Sequence, residues 1–148
     1  MWITVIFVVR FAFVALGDVL APIVQKRGSS IKQIFLLSGL AFIFLATFAA
    51  IWNQFALPIF GVSVMILTIA QILLMNALQS EIKEEGRATV TSFIGVGQNL
   101  VMICFSLVFA LLAGIFALHQ VYIIIAIYGV IGSVGFCLLY KAKNVKAQ

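Results

Sequence analysis

The chain has 148 residues, of which 65% are hydrophobic and 9% are charged, and its mean hydropathy is +1.27. A soluble domain of this size has too little interior to bury so much apolar surface, so we expect lipid to be the solvent. The net charge of +5 does not indicate a nucleic-acid partner, because the basic residues are concentrated in short polar segments and the C-terminal tail. The composition therefore predicts an all-α integral membrane protein.

Five apolar segments are long enough to span a bilayer as helices. They cover residues 3–24, 34–51, 55–78, 90–118 and 121–140. The polar segments between them are in turn basic, neutral, basic and neutral, and the tail is basic. Since lysine and arginine favour the cytoplasmic side, this pattern predicts one transmembrane domain over residues 1–148, with the N-terminus outside and the C-terminus in the cytoplasm.

Two charged residues, Arg10 and Asp18, interrupt the first apolar segment. A charge at this depth is costly against lipid, so both side chains must face protein or water. For Arg10 two interpretations stay open: it lines a cavity as a substrate or proton-relay contact, or its long side chain extends to the headgroups. For Asp18 we favour a structural role, in an ion pair with a loop base such as Lys26 or Arg87.

The later segments carry four amide side chains, Gln71, Asn76, Gln98 and Asn99. Such groups either bind a substrate or form hydrogen bonds between helices. We expect Gln71 and Asn99, together with Arg10, to line a substrate or ion pathway. No nucleotide-binding loop, zinc pattern or nucleophile motif occurs in the sequence, so we expect no enzymatic activity, no metal site and no cofactor.

The segment after the first predicted helix carries a spaced set of residues, Gly17, Ala21, Gln25, Lys26 and Gly28. Their order and spacing resemble the loop signature of the major facilitator superfamily, which lies between the second and third helices and recurs between the eighth and ninth. Ala21 occupies the position of the second glycine, and Gln25 that of the usual aspartate. The resemblance implies that these five residues form a gating loop at the cytoplasmic side.

Residues 87–93, RATVTSF, are similar to the start of the eleventh helix in drug exporters of the same superfamily. Taken with the loop signature, the chain resembles the last five of twelve helices, a C-terminal bundle without its first helix. The resemblance implies secondary transport of a small solute or drug by alternating access, in a bacterial inner membrane. It also implies a missing N-terminal half or self-association as the partner. The alternative is a small membrane subunit or transporter fragment without transport activity.

The predicted topology can be tested by labelling single cysteines placed at Gln120 and at Ser29 in a cysteine-free background. Because the two positions lie in loops on opposite sides of the membrane, we expect an impermeant thiol reagent to reach them from opposite sides. Labelling of both from the same side would contradict five spans.

Overall fold

A computed structural model describes residues 2–26, 30–80 and 87–145, without the side chains of residues 2–3, 87 and 140–145. Five α-helices occupy these ranges: α1 (Trp2–Lys26), α2 (Ile31–Ile51), α3 (Leu57–Ser80), α4 (Arg87–Ile115) and α5 (Leu118–Val145). A short 3-10 turn, Gln54–Ala56, precedes α3. Each of the five helices is long and apolar enough to cross a membrane. The prediction of an all-α chain with five candidate membrane helices is confirmed.

Helix α2 begins three residues before the expected apolar start, because a reciprocal pair of hydrogen bonds caps it. The Ser30 hydroxyl accepts the backbone N–H of Gln33 at 3.3 Å. The Gln33 side chain in turn accepts the N–H of Ser30 at 2.9 Å. This capping box satisfies donors that the first helical turn cannot pair internally, so the polar residues before Ile34 belong to the helix.

The turn between α4 and α5 lies earlier than hydropathy indicates. Helix α4 ends at Ile115 and α5 begins at Leu118, so His119 and Gln120 belong to the first turn of α5 instead of a loop. The Gln120 side chain accepts the backbone N–H of Ala117 at 3.1 Å and so caps α5. Apolar residues continue through the turn itself, and an apolar run gives no signal for a helix end.

Helices α1 and α3 run parallel in direct contact. Phe13 lies against Gly61, Gly17 against Thr68, and further along the Asn76 amide donates to the Gln25 side chain at 2.9 Å. The residue numbers of both helices therefore increase in the same direction along the contact. At Gly17 an added Cβ would lie 2.9 Å from the Cβ of Thr68, so only glycine permits this approach of the two helices.

Helices α2 and α5 pack antiparallel along their length. Phe35 stacks on Phe136 with ring centroids 5.4 Å apart. Ser38 and Ser133 share a hydrogen bond of 3.0 Å. One turn further along α2, the Phe42 ring lies over Gly129. From one contact to the next, the residue number on α2 increases by as much as the number on α5 decreases. The two helices therefore keep the same alignment along the whole contact.

An aromatic cluster closes the end of the bundle that lies opposite Lys26. Phe48 packs at 5.1 Å from Phe60 and at 6.0 Å from Tyr122, measured between ring centroids. Trp52 caps α2 in the left-handed region, with φ 38° and ψ 55°, a backbone conformation that is costly for a bulky residue. Its ring lies 5.9 Å from both His119 and Tyr122. These contacts join α2, α3 and α5 and hold Trp52 in place.

Helix α4 is the least covered of the five. No residue in its most apolar 18-residue stretch is buried. In the corresponding stretches of α2 and α3, 28% and 33% of the residues are buried. Its few contacts include Phe109 on Tyr122, with centroids 5.9 Å apart, and the Gln98 amide on the Met75 sulfur at 3.4 Å. The other four helices form a continuous row in the order α1, α3, α2, α5, and α4 lies beside it.

The α2–α5 contact predicts a difference between two glycines of one helix. Gly129→Leu should destabilise the protein by about 1–3 kcal/mol, because the new side chain must displace the Phe42 ring. Gly132→Leu is the matched control, since apart from its own helical turn no atom of the described residues lies within 4 Å of its Cβ position. Thermal unfolding in detergent, followed by circular dichroism, measures both. Equal losses would contradict the packing of α2 on α5.

Candidate functional site

An open cleft of about 540 Å³ runs between α1 and α3. Three of its lining residues come from α1 and seven from α3. They are Arg10, Val14, Asp18, Val64, Leu67, Thr68, Gln71, Ile72, Met75 and Asn76. Apolar residues form much of the wall, with a few polar groups directed into the same space, which is the usual composition of a small-molecule site.

The cleft contains two ionisable side chains of opposite sign, Arg10 and Asp18. Both lie well inside the candidate span Thr4–Lys26. Val14 lies between them on the same face of α1, one turn from each. A charge facing hydrocarbon costs about 2.5–3.5 kcal/mol at the bilayer centre on insertion scales, and less nearer the surface. A cleft that admits water or a polar solute removes that cost.

The alignment of α1 along α3 determines which polar groups lie at the same height in the cleft. Gly17 lies against Thr68, so Asp18, the next residue, is level with Thr68 and about one turn from Gln71. Arg10 lies two turns away from Asp18, at the Val64 end of the cleft. The cleft therefore has a basic end at Arg10, then an apolar wall, and then an acidic and amide-rich part that begins at Asp18 and continues to Asn76.

The structure brings two of the three predicted pathway residues together. Arg10 and Gln71 both line the cleft, and both side chains are exposed within the described chain. Asn99 is exposed on α4 and does not belong to the cleft wall. The transport role of all three stays a prediction.

The predicted gating residues take up distinct packing positions. Gly17 is buried against α3, and Ala21 is fully buried in a core cluster with Ile34 and Leu73. Gln25 accepts the hydrogen bond from Asn76 described above.

The other two residues of the motif add little. Lys26 is exposed at the last turn of α1, and Gly28 lies outside the described residues. The motif thus contributes helix contacts between α1 and α3, and its role as a gate stays a prediction.

Sequence analysis missed Asp18 and Thr68 as members of one site. Asp18 was expected to pair with Lys26 or Arg87, and the side chain of Arg87 lies outside the described residues. The depth of Asp18 in its apolar segment was the signal for a cavity position. The Thr68 hydroxyl donates to the Val64 carbonyl at 3.0 Å, so its lone pairs remain able to accept a hydrogen bond in the cleft.

Two of the four amides form the interhelical contacts that sequence analysis offered as an alternative to substrate binding. Asn76 joins α3 to Gln25 of α1 at 2.9 Å. Gln98 joins α4 to Met75 of α3 at 3.4 Å. These two contacts give both amides a structural role in the bundle.

A comparison of the chain with protein-family models finds no match, and comparisons with curated proteins and with solved structures find none either. The resemblance to the major facilitator superfamily therefore rests on the loop signature and on residues 87–93.

The close contact at Gly17 predicts a strong effect of substitution there. Gly17→Leu should lower the thermal stability of the detergent-solubilised chain by several degrees, because the new side chain would meet Thr68 and the backbone oxygen of Met65. Ala15→Leu, at an exposed position of the same helix, should have little effect. Phe13 is unsuitable as a control because its ring packs on Gly61. A Gly17→Leu chain as stable as Ala15→Leu would contradict the close packing of α1 on α3.

Proposed function

We propose that the chain belongs to a secondary transporter and that the cleft between α1 and α3 is a solute site. The observation that carries this proposal is the pair Arg10 and Asp18, which line one cleft inside an apolar span. Charged residues within membrane-spanning helices are costly and typically mark substrate or ion pathways. A purely structural helix pair would gain stability from apolar residues at both positions.

The proposed transporter is completed by a partner. Helix α4 has no buried residue in its most apolar 18-residue stretch, yet its exposed surface includes polar side chains such as Ser92 and Asn99. In a bilayer these groups favour contact with other helices over lipid. We propose an N-terminal half or a second copy as that partner, and the loop motif favours a major-facilitator-like arrangement in a bacterial inner membrane.

Alternating access requires two bodies that move around a central site. In this proposal one body is the row of α1, α3, α2 and α5, which is held together by continuous contacts. The partner on the α4 side would supply the other body. A membrane subunit without transport activity would also explain why α4 is uncovered. It would give no function to the charges in the cleft.

Transport can be tested in membrane vesicles from cells that produce the full chain, since these retain any natural partner. We expect a proton gradient to drive accumulation of at least one solute from a panel of fluorescent drugs. Arg10→Ala and Gln71→Ala should each reduce the initial rate about tenfold or more, as expected for lost contacts to a bound solute. Gln54→Ala, which removes an exposed amide outside the cleft wall, is the control and should retain the rate.

The size of the purified particle in detergent completes the test. We expect a protein mass above the 16.1 kDa of one chain. Gradient-driven uptake by a strictly monomeric chain would contradict the requirement for a partner. An assembled chain that transports no member of the panel, in vesicles where a control transporter is active, would favour the non-transporting subunit.

A further inference from the structure

We infer that the cleft between α1 and α3 accepts an elongated zwitterionic solute, with its cationic group at Asp18 and its anionic group at Arg10. This inference rests on the proposed role of the cleft as a solute site and specifies the chemical class of the solute. It follows from the sign, spacing and surroundings of the two charges.

The spacing of the charges is fixed because both belong to one helix. Eight residues separate Arg10 from Asp18, which is a rise of about 12 Å along α1. At about 100° per residue their side chains leave the helix within about 80° of each other, on the face that includes Val14. The volume of about 540 Å³ suits an extended molecule with one charged group near each end.

The end of the cleft near Asp18 is rich in hydrogen-bond acceptors. The Asp18 carboxylate accepts only, and the Thr68 hydroxyl has already given its proton to the Val64 carbonyl. Gln71 lines the same part of the cleft, and its side-chain amide can present its oxygen as a further acceptor. Three acceptors within about one helical turn of each other match an ammonium group, which carries three donors.

The opposite end has a guanidinium group, which offers planar donors that suit a carboxylate, sulfonate or phosphate. Between the two ends the wall is formed by Val14, Val64 and Leu67. An aliphatic spacer in the solute would contact this wall. The arrangement therefore specifies an anionic group, an apolar spacer and a cationic group in that order from Arg10 to Asp18.

Solutes with a single charge fit this cleft less well. A lipophilic cation at Asp18 would leave Arg10 uncompensated in the same low-dielectric space, and an anion at Arg10 would leave Asp18 uncompensated. An unpaired charge that loses its water on binding weakens affinity. A zwitterion compensates both charges at once and introduces no net charge into the membrane.

The test uses protection of a cysteine in the cleft wall. In the full chain in membranes, with Cys104 and Cys137 replaced by serine, Val14→Cys supplies a single thiol between the two charges. ω-Aminoundecanoic acid is the probe, and undecylamine and undecanoate are single-charge controls of equal length. We expect the zwitterion to slow labelling by a small thiol reagent at a concentration about tenfold lower than either control. Leu111→Cys, exposed on α4, should not be protected.

Charge variants test the orientation. In the Val14→Cys background, Asp18→Asn should bring protection by the zwitterion to the level of undecanoate, and Arg10→Gln should bring it to that of undecylamine. The double exchange Arg10→Asp with Asp18→Arg should restore protection, because the probe can bind in reverse. Failure of the double exchange to restore protection, with labelling of Val14→Cys unchanged, would overturn the pairing.

The outcomes separate this inference from the proposed function. Equal protection by all three probes would overturn the zwitterion and leave the cleft as a solute site. A Val14 thiol that reacts with the reagent but is protected by none of them, or that does not react at all, would overturn both.

Discussion

The close approach of α1 to α3 at Gly17 is the contact on which the cleft depends. Because Gly17 has no side chain, Thr68 lies directly against α1. This contact sets which residues of α1 and α3 lie opposite each other along the rest of the interface. Phe13 on Gly61 and Gln25 with Asn76 fix the contact on both sides of this point. The parallel direction of the helices then places Asp18 level with the polar residues of α3, because both chains advance together.

A second interface gives the bundle its rigidity and leaves one helix apart. The antiparallel contact of α2 with α5 combines a ring stack, a hydroxyl pair and a ring on glycine. The aromatic cluster around Phe48 and Tyr122 joins the same helices at one end. In lipid, the association of helices is stabilised more by close packing than by hydrophobic burial. Because α4 is little covered by the other helices, it contributes little to the stability of the chain by itself. Its surface is the least covered of the five helices in the part of the chain that the structure describes.

Sequence analysis could predict the five helices because each apolar run is long and the polar breaks are distinct. It could also identify Arg10 and Gln71 as polar groups that need a protein or aqueous environment. It could not predict which helices pair, since hydropathy has no information on the partner of a given face. The contact of Phe13 with Gly61 and the position of Asp18 beside Thr68 both depend on that pairing. The position of the turn at Ala117 could not be predicted because the residues on both sides of it are apolar.

The parallel pairing of α1 with α3 has a consequence for biogenesis. Helix α1 is synthesised first, but its contact surface on α3 follows only after the whole of α2. During that interval Arg10 and Asp18 lack the polar surroundings that the finished cleft supplies, and lipid cannot replace them. Contact of the first helix with water or with the insertion machinery until the third arrives would lower that cost. In a membrane, this pairing favours insertion of α1 together with α3, and the order of synthesis then becomes part of how the charges are accommodated.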